Sequence, residues 1–240
     1  LHDVTFSYVP GRPVLHNVDL RIHPGETVAF VGETGSGKST IARLITRFHD
    51  PDSGTITIDG HDLRTVTLRS LRSQLGVVPQ EPFLFAGCVR DNVAFARPDA
   101  TDDELRQALE SVGIDDLVDR IGGLDAPVHE RGASLSAGER QLLALARAFV
   151  ARPRVLVLDE ATSNLDLHSE SRVEQALDVV LEGRTAVIIA HRLATARRAD
   201  RIAVVDAGEI VELGSHNELV ALGGRYTQMY DTWVAHGGAE

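Results

Sequence analysis

Three short stretches of this chain hold side chains whose types and spacing could do chemistry. "GETGSGKST", residues 32–40, has the pattern G-x-x-x-x-G-K-[ST] and follows an apolar run. Gly35 and Gly37 let the backbone curl and aim its N–H groups at an anion. Lys38 adds charge for β- and γ-phosphates, and Ser39 offers a hydroxyl to Mg²⁺. Gly32, Glu33, Thr34, Ser36 and Thr40 complete the loop. "VLVLDE", residues 155–160, is a hydrophobic run ending in two acids. Asp159 suits an acid that holds Mg²⁺ through water, and Glu160 suits a general base that polarises attacking water. Alone, a strand end with two acids is common; beside a phosphate loop it completes a nucleoside triphosphate site. The dinucleotide fingerprint G-x-G-x-x-G would put its glycines elsewhere and needs no lysine.

The third stretch, "SLSAGERQLLALARA" (134–148), poses a question. Ser136 and Glu139 have capping-box spacing and an apolar helical face follows. Ala137 and Gly138, between them, are both small. Small residues at a helix start let a ligand reach backbone N–H groups that favour anions. A plain cap and half of a phosphate site both fit.

The elements that must position these groups follow an α/β pattern. "ETVAFVG" (26–32), "VLVLDE", "TAVIIAH" (185–191) and "RIAVVDAG" (201–208) are β-branched runs ending in polar residues or glycine, the mark of a mainly parallel sheet. "TLRSLRSQLGVVPQ" (67–80) reads as a helix then a strand. "LHDVTFSY" with "TITIDG" (55–60) reads as antiparallel. From Gln80 to Pro153 strand signals vanish; "GCVRDNVAFA" and "TDDELRQALESVG", with its Thr101/Glu104 capping box, read as helices. The expected organisation is one domain over 1–240, its α/β core at 1–79 and 154–240 and a helical subdomain inserted at 80–153.

Composition narrows the classes. The 240 residues are 43% hydrophobic and 25% charged, an ordinary globular balance. The net charge of -11 argues against a nucleic-acid duplex as main partner. A single cysteine, Cys88, excludes an internal disulfide and fits a reducing compartment. The longest apolar runs are far too short to cross a bilayer, and no signal-peptide pattern precedes them. A start at Leu1 rather than Met predicts a domain of something longer.

With a phosphate loop, Asp159–Glu160 and "LSAGE" between them, the chain resembles the nucleotide-binding domain of an ATP-binding cassette (ABC) protein over essentially its whole length. The resemblance implies a P-loop NTPase core with an antiparallel N-terminal β part and the helical insertion. It places Tyr8 of "FSY" where an aromatic ring stacks on adenine. Gln80 of "VVPQEPFLF" matches a glutamine that touches Mg²⁺ and reports to a membrane partner. "LSAGE" (Ser136, Ala137, Gly138, Glu139 after Leu135) matches the signature usually written LSGGQ. "SNLD" (163–166) matches a dimer-interface loop, and His191 of "IIAHRL" a switch histidine at the γ-phosphate. The implied cofactors are ATP and Mg²⁺. The implied partner is a second such domain, identical or diverged, joined head to tail so that each ATP lies between one phosphate loop and the other chain's signature helix. Two departures stand out: Ala137 replaces a glycine, and Glu139 a neutral glutamine.

"FLFAGCVRDNV" (83–93) and "HERGASLSAGER" (129–140) resemble the exporter branch, in which Glu130, Arg131 and Gly132 relay motion to a membrane domain. The expectation is an ATPase powering export from the cytoplasmic face of a membrane. Its transmembrane part would lie on a preceding segment or another chain. A DNA- or ribosome-acting ABC ATPase would carry coiled-coil insertions or paired cassettes, and neither is in this sequence. An importer ATPase and a regulatory module without turnover are further alternatives. The ERG stretch weighs against the first, and Glu160 with His191 against the second.

Overall fold

A computed structural model of the chain describes residues 1–159, 165–190 and 192–235. By contact density it divides into two compact units, Leu1–Leu75 with the described part of Arg184–Glu240, and Gly76–Gly183. These units follow packing, whereas the expected subdomain at 80–153 follows the loss of strand signals along the sequence.

The first unit holds strands of three sheets. Thr27–Val31, buried at every position, has parallel neighbours on both sides: Thr185–Ile189 (Ile188 opposite Ala29) and Arg201–Asp206 (Ala203 opposite Phe30). Burial on both faces explains the apolar run VAFV after Thr27, since no position faces water. Glu209–Gly214 pairs antiparallel with Arg201–Asp206. Between these two strands, Ala207 (φ 46°) and Gly208 (φ 83°) form a two-residue turn with both central residues left-handed, the type I′ geometry that suits strand twist.

The antiparallel reading of the N-terminus holds. His2–Val9 lies between Arg12–Val18 and Ser53–Thr55. Val4 and Phe6 point inward with period two. Within "TITIDG", however, Thr57–Ile58 pairs with His61–Asp62 as a separate short hairpin. The helix Lys38–Ile45 follows the strand Thr27–Val31 and buries Ile41, Leu44 and Ile45 on one face.

The second unit is largely helical, as the sequence predicts. Val89–Val93, Asp102–Ser111, Asp115–Ile121, Ala137–Ala151 and Leu167–Leu181 are its helices. Thr101 and Glu104 form their capping box. Strand Val155–Asp159 lies beside Leu75–Val78. One difference is local: Gly87–Cys88 pairs with Pro127–Val128 as a two-stranded ladder, inside a stretch read as helix. Two residues are too few to show a strand period. Among the described residues no helix is long and apolar enough to cross a membrane.

Candidate functional site

In the first unit the phosphate loop has the strand–loop–helix setting its spacing requires. Gly35 (φ 85°) and Gly37 (φ 113°) are left-handed, and Gly37 occupies the N-cap of Lys38–Ile45 without a capping side chain. That helix end therefore leaves its first N–H groups, those of Lys38 and Ser39, without a capping side chain, and an anion would satisfy them. Thr40 and Ile41 bond back to the Gly37 carbonyl, which starts the helix. The Lys38 side chain folds across the loop: its Nζ donates to the carbonyls of Gly32 at 2.7 Å and Glu33 at 2.9 Å. A buried ammonium fixed by carbonyls is a charge placed in advance of its ligand. Ser36 Oγ is buried with no hydrogen-bond partner among the described residues. An orphaned hydroxyl inside a phosphate loop fits a site completed by a ligand oxygen. Glu33, Thr34 and Gly35 are exposed, and Ser39 is half-buried.

The loop's back is held by residues that motif reading missed. A Cβ on Gly32 would collide with the Val205 carbonyl. Gly208 N–H donates to the Ser36 carbonyl at 2.9 Å, and the Gly208 carbonyl accepts from His16 N–H at 2.9 Å. The I′ turn thus fastens the loop to the strand Arg12–Val18. "DAG" at 206–208 is a turn signal, but nothing in it says what the turn touches.

Tyr8 stands at the end of the inward face of His2–Val9. Its ring lies 4.9 Å from Phe6 and 5.4 Å from His49, both edge-on, and 43% of the residue is exposed.

In the second unit, Ser136 caps the helix Ala137–Ala151. Glu139 N–H donates to Ser136 Oγ at 3.2 Å, and Ser136 N–H donates to Glu139 Oε2 at 2.7 Å. The capping box is real, and it engages the carboxylate that distinguishes Glu139 from glutamine. Ser136 and Ala137 are exposed, while Gly138 is buried. Gly138 has a reason within its own chain, because a Cβ there would stand 2.7 Å from Ser169 Cβ. Cap, helix packing and an open N-terminus coexist.

Gln80 is exposed two residues beyond the strand Leu75–Val78, and Asp159 is half-buried at the end of Val155–Asp159. An amide oxygen and a carboxylate are hard donors of the kind that suits Mg²⁺, as is the Ser39 hydroxyl of the first unit. Glu160, His191 and, in the dimer loop, Ser163 and Asn164 lie outside the described residues. Asp166 of that loop takes the Ser169 N–H at 3.0 Å and starts the helix Leu167–Leu181.

The two exporter-like stretches meet in this unit. Arg131 N–H donates to the Leu84 carbonyl at 3.1 Å, and Gly132 leaves room for the Leu84 side chain. Leu84 is fully buried, whereas Phe83, Phe85 and Phe95 are exposed. Phe85 and Phe95 stack at 4.6 Å, with Arg147 within 6 Å of both ring centres. Arg147 Nε donates to the Asn92 carbonyl at 2.8 Å and Nη1 to the Phe83 carbonyl at 3.2 Å. Asn92 in turn donates to the Phe85 carbonyl and accepts from its N–H. Burial lowers the Arg147 pKa from its usual value. Asn92 and Arg147, neither singled out from sequence, hold this aromatic patch in shape.

The chain is similar to a family of known proteins. The family model described as ABC transporter matches residues 15–163. The uncharacterized ABC transporter ATP-binding protein YknV of Bacillus subtilis (strain 168) is 49% identical over 225 residues, 93% of this chain and 37% of its own length. The probable multidrug resistance ABC transporter ATP-binding/permease protein YheH of the same organism is 47% identical over 230 residues, 95% of this chain and 34% of its own. A solved structure of a bacterial Atm1-family ABC exporter with ATP bound superposes with a TM-score of 0.90 at 42% identity, covering 100% of this chain and 41% of that one. This chain thus spans well under half the length of these relatives.

Proposed function

The chain belongs to the ABC transporter family and carries its ATP-hydrolysing domain, and on that premise we propose that it powers export across a membrane from the cytoplasmic face. ATP binds with its triphosphate in the loop 32–40 and its adenine on Tyr8. Lys38, already fixed in the loop's mouth, offers its charge to the β- and γ-phosphates without reorganising. Ser39, Gln80 and, through water, Asp159 would hold Mg²⁺, and the metal would neutralise phosphate charge. Glu160 takes the proton of the attacking water, and His191 steadies the γ-phosphate. A second such domain closes head to tail, and the N-terminus of its signature helix reaches this chain's ATP while Ser136, Ala137, Gly138 and Glu139 reach the other. The observation that carries the nucleotide reading is the loop itself: a fixed Lys38 and, in the same loop, a buried Ser36 hydroxyl without a hydrogen-bond partner among the described residues.

Export rests on the patch of Phe83, Phe85 and Phe95. The Arg131–Leu84 bond ties it to the ERG turn just before the signature. A membrane domain docked there would feel movement of the signature helix. The relatives named as ATP-binding/permease and exporter proteins support that reading, and their greater length leaves room for such a domain. The test is ATP turnover with and without Mg²⁺ in the parent and in Lys38→Ala. The parent hydrolyses ATP only with the metal, and the variant loses at least about tenfold in ATP affinity. Equal affinity and turnover in the two proteins would overturn the assignment.

A further inference from the structure

We propose that Arg43 and Thr40 are positioning residues for Tyr8, holding its hydroxyl so that the aromatic platform and the phosphate loop keep a fixed spacing. This rests on the reading of Tyr8 as the platform for adenine. Stacking needs only a ring, and phenylalanine would supply it. Yet the Tyr8 hydroxyl is engaged twice. It lies 3.2 Å from Thr40 Oγ1, and Arg43 Nη1 donates to it at 3.2 Å. The Arg43 guanidinium carbon is also 6.0 Å from the ring centre. Phe6 on the strand and His49 just beyond the helix brace the ring itself, while Thr40 and Arg43 on the helix hold its tip.

The far end of this tie matters. Thr40 is buried in the first turn of Lys38–Ile45, next to Ser39 and two residues after Lys38. The hydroxyl therefore joins the group that meets the base to the turn that meets the phosphates. A nucleotide gripped at both ends loses affinity if the two grips move independently, because binding must then order them. Every base has a π-face, so stacking alone is tolerant of base identity. The tie accordingly acts on the affinity of base-bearing ligands, through KM, and leaves kcat alone.

The test measures ATP affinity by calorimetry, KM and kcat, and the binding of magnesium tripolyphosphate, which has phosphates but no base. Tyr8→Phe should weaken ATP about three- to tenfold; Arg43→Ala should weaken it about two- to threefold with kcat unchanged. The double variant should be no weaker than Tyr8→Phe, since both changes act on one bond. Arg43→Lys, which can still donate, should recover most of the loss. Tripolyphosphate should bind all of them alike. The proposal is overturned if Arg43→Ala costs as much in the Tyr8→Phe background as in the parent, for Arg43 then acts directly on nucleotide. It is also overturned if tripolyphosphate weakens in step with ATP, which would place the effect in the phosphate loop. Tyr8→Ala separates this idea from the reading beneath it. Unchanged ATP affinity there overturns both, whereas a loss in Tyr8→Ala with none in Tyr8→Phe overturns the tie alone.

Discussion

A Cβ on Gly138 would stand 2.7 Å from Ser169 Cβ and 2.9 Å from its Oγ, so the helices Ala137–Ala151 and Leu167–Leu181 meet where only a hydrogen fits. Overpacking at such a point typically costs about 1–3 kcal/mol. Gly138→Ala should lower unfolding stability by that amount in a urea titration. The same change in a Ser169→Gly background should cost clearly less. Equal costs in both backgrounds would show that the helices part freely.

That contact also decides how the signature must be tested. A bulky residue at 138 would disturb its own chain before it met any ligand. Ser136→Asp avoids this, because aspartate caps a helix as well as serine while adding charge where a phosphate is expected. The Ser136→Asp chain and the Lys38→Ala chain should each lack turnover, and their mixture should recover about a quarter of parent activity. Half of randomly paired dimers carry one intact site of two. No recovery would mean that the signature serves only its own chain, and full activity of Ser136→Asp alone would remove it from the site.

Glu160→Gln should bind ATP as the parent does while turnover falls by about a hundredfold or more, since the amide keeps the shape but cannot take a proton. Light scattering with magnesium ATP should then show dimer accumulating. A variant that turns over at the parental rate would assign the base elsewhere.

Glu104 pairs with Arg97 and, at 3.5 Å, with Arg152, and it accepts the Thr101 N–H at 3.0 Å. Arg97 first, then the Thr101 amide, hold its pKa down from 4.5 to about 2. A folded-state pKa below the unfolded one gives stability that is complete above the unfolded pKa and disappears as pH falls through the folded one. Glu104→Gln should therefore melt lower than the parent at about pH 7, and the gap should close between about pH 4.5 and 2. A gap that stays constant on acidification would show that the carboxylate charge contributes nothing.

Much of this protein is legible because some features are local. The phosphate loop is nine consecutive residues whose glycines permit the left-handed dihedrals it needs. Both capping boxes read from sequence, Ser136/Glu139 and Thr101/Glu104, close over three residues and form as written. Buried parallel strands announce themselves as unbroken apolar runs because both faces are covered.

What only the tertiary structure decided is which distant groups meet. The Val205 carbonyl and Gly208 amide that back the loop lie more than 170 residues along the chain from Gly32 and Ser36. The Tyr8–Thr40 bond spans 32 residues and the Arg147–Asn92 bond 55. "LSAGE" shows that position 138 is small, but not that Ser169 helps to require it. A residue's dihedral preference and its bonds to near neighbours act within a turn or two of chain. A packing contact, by contrast, depends on the path of everything between its two ends, and no short window of sequence contains that path.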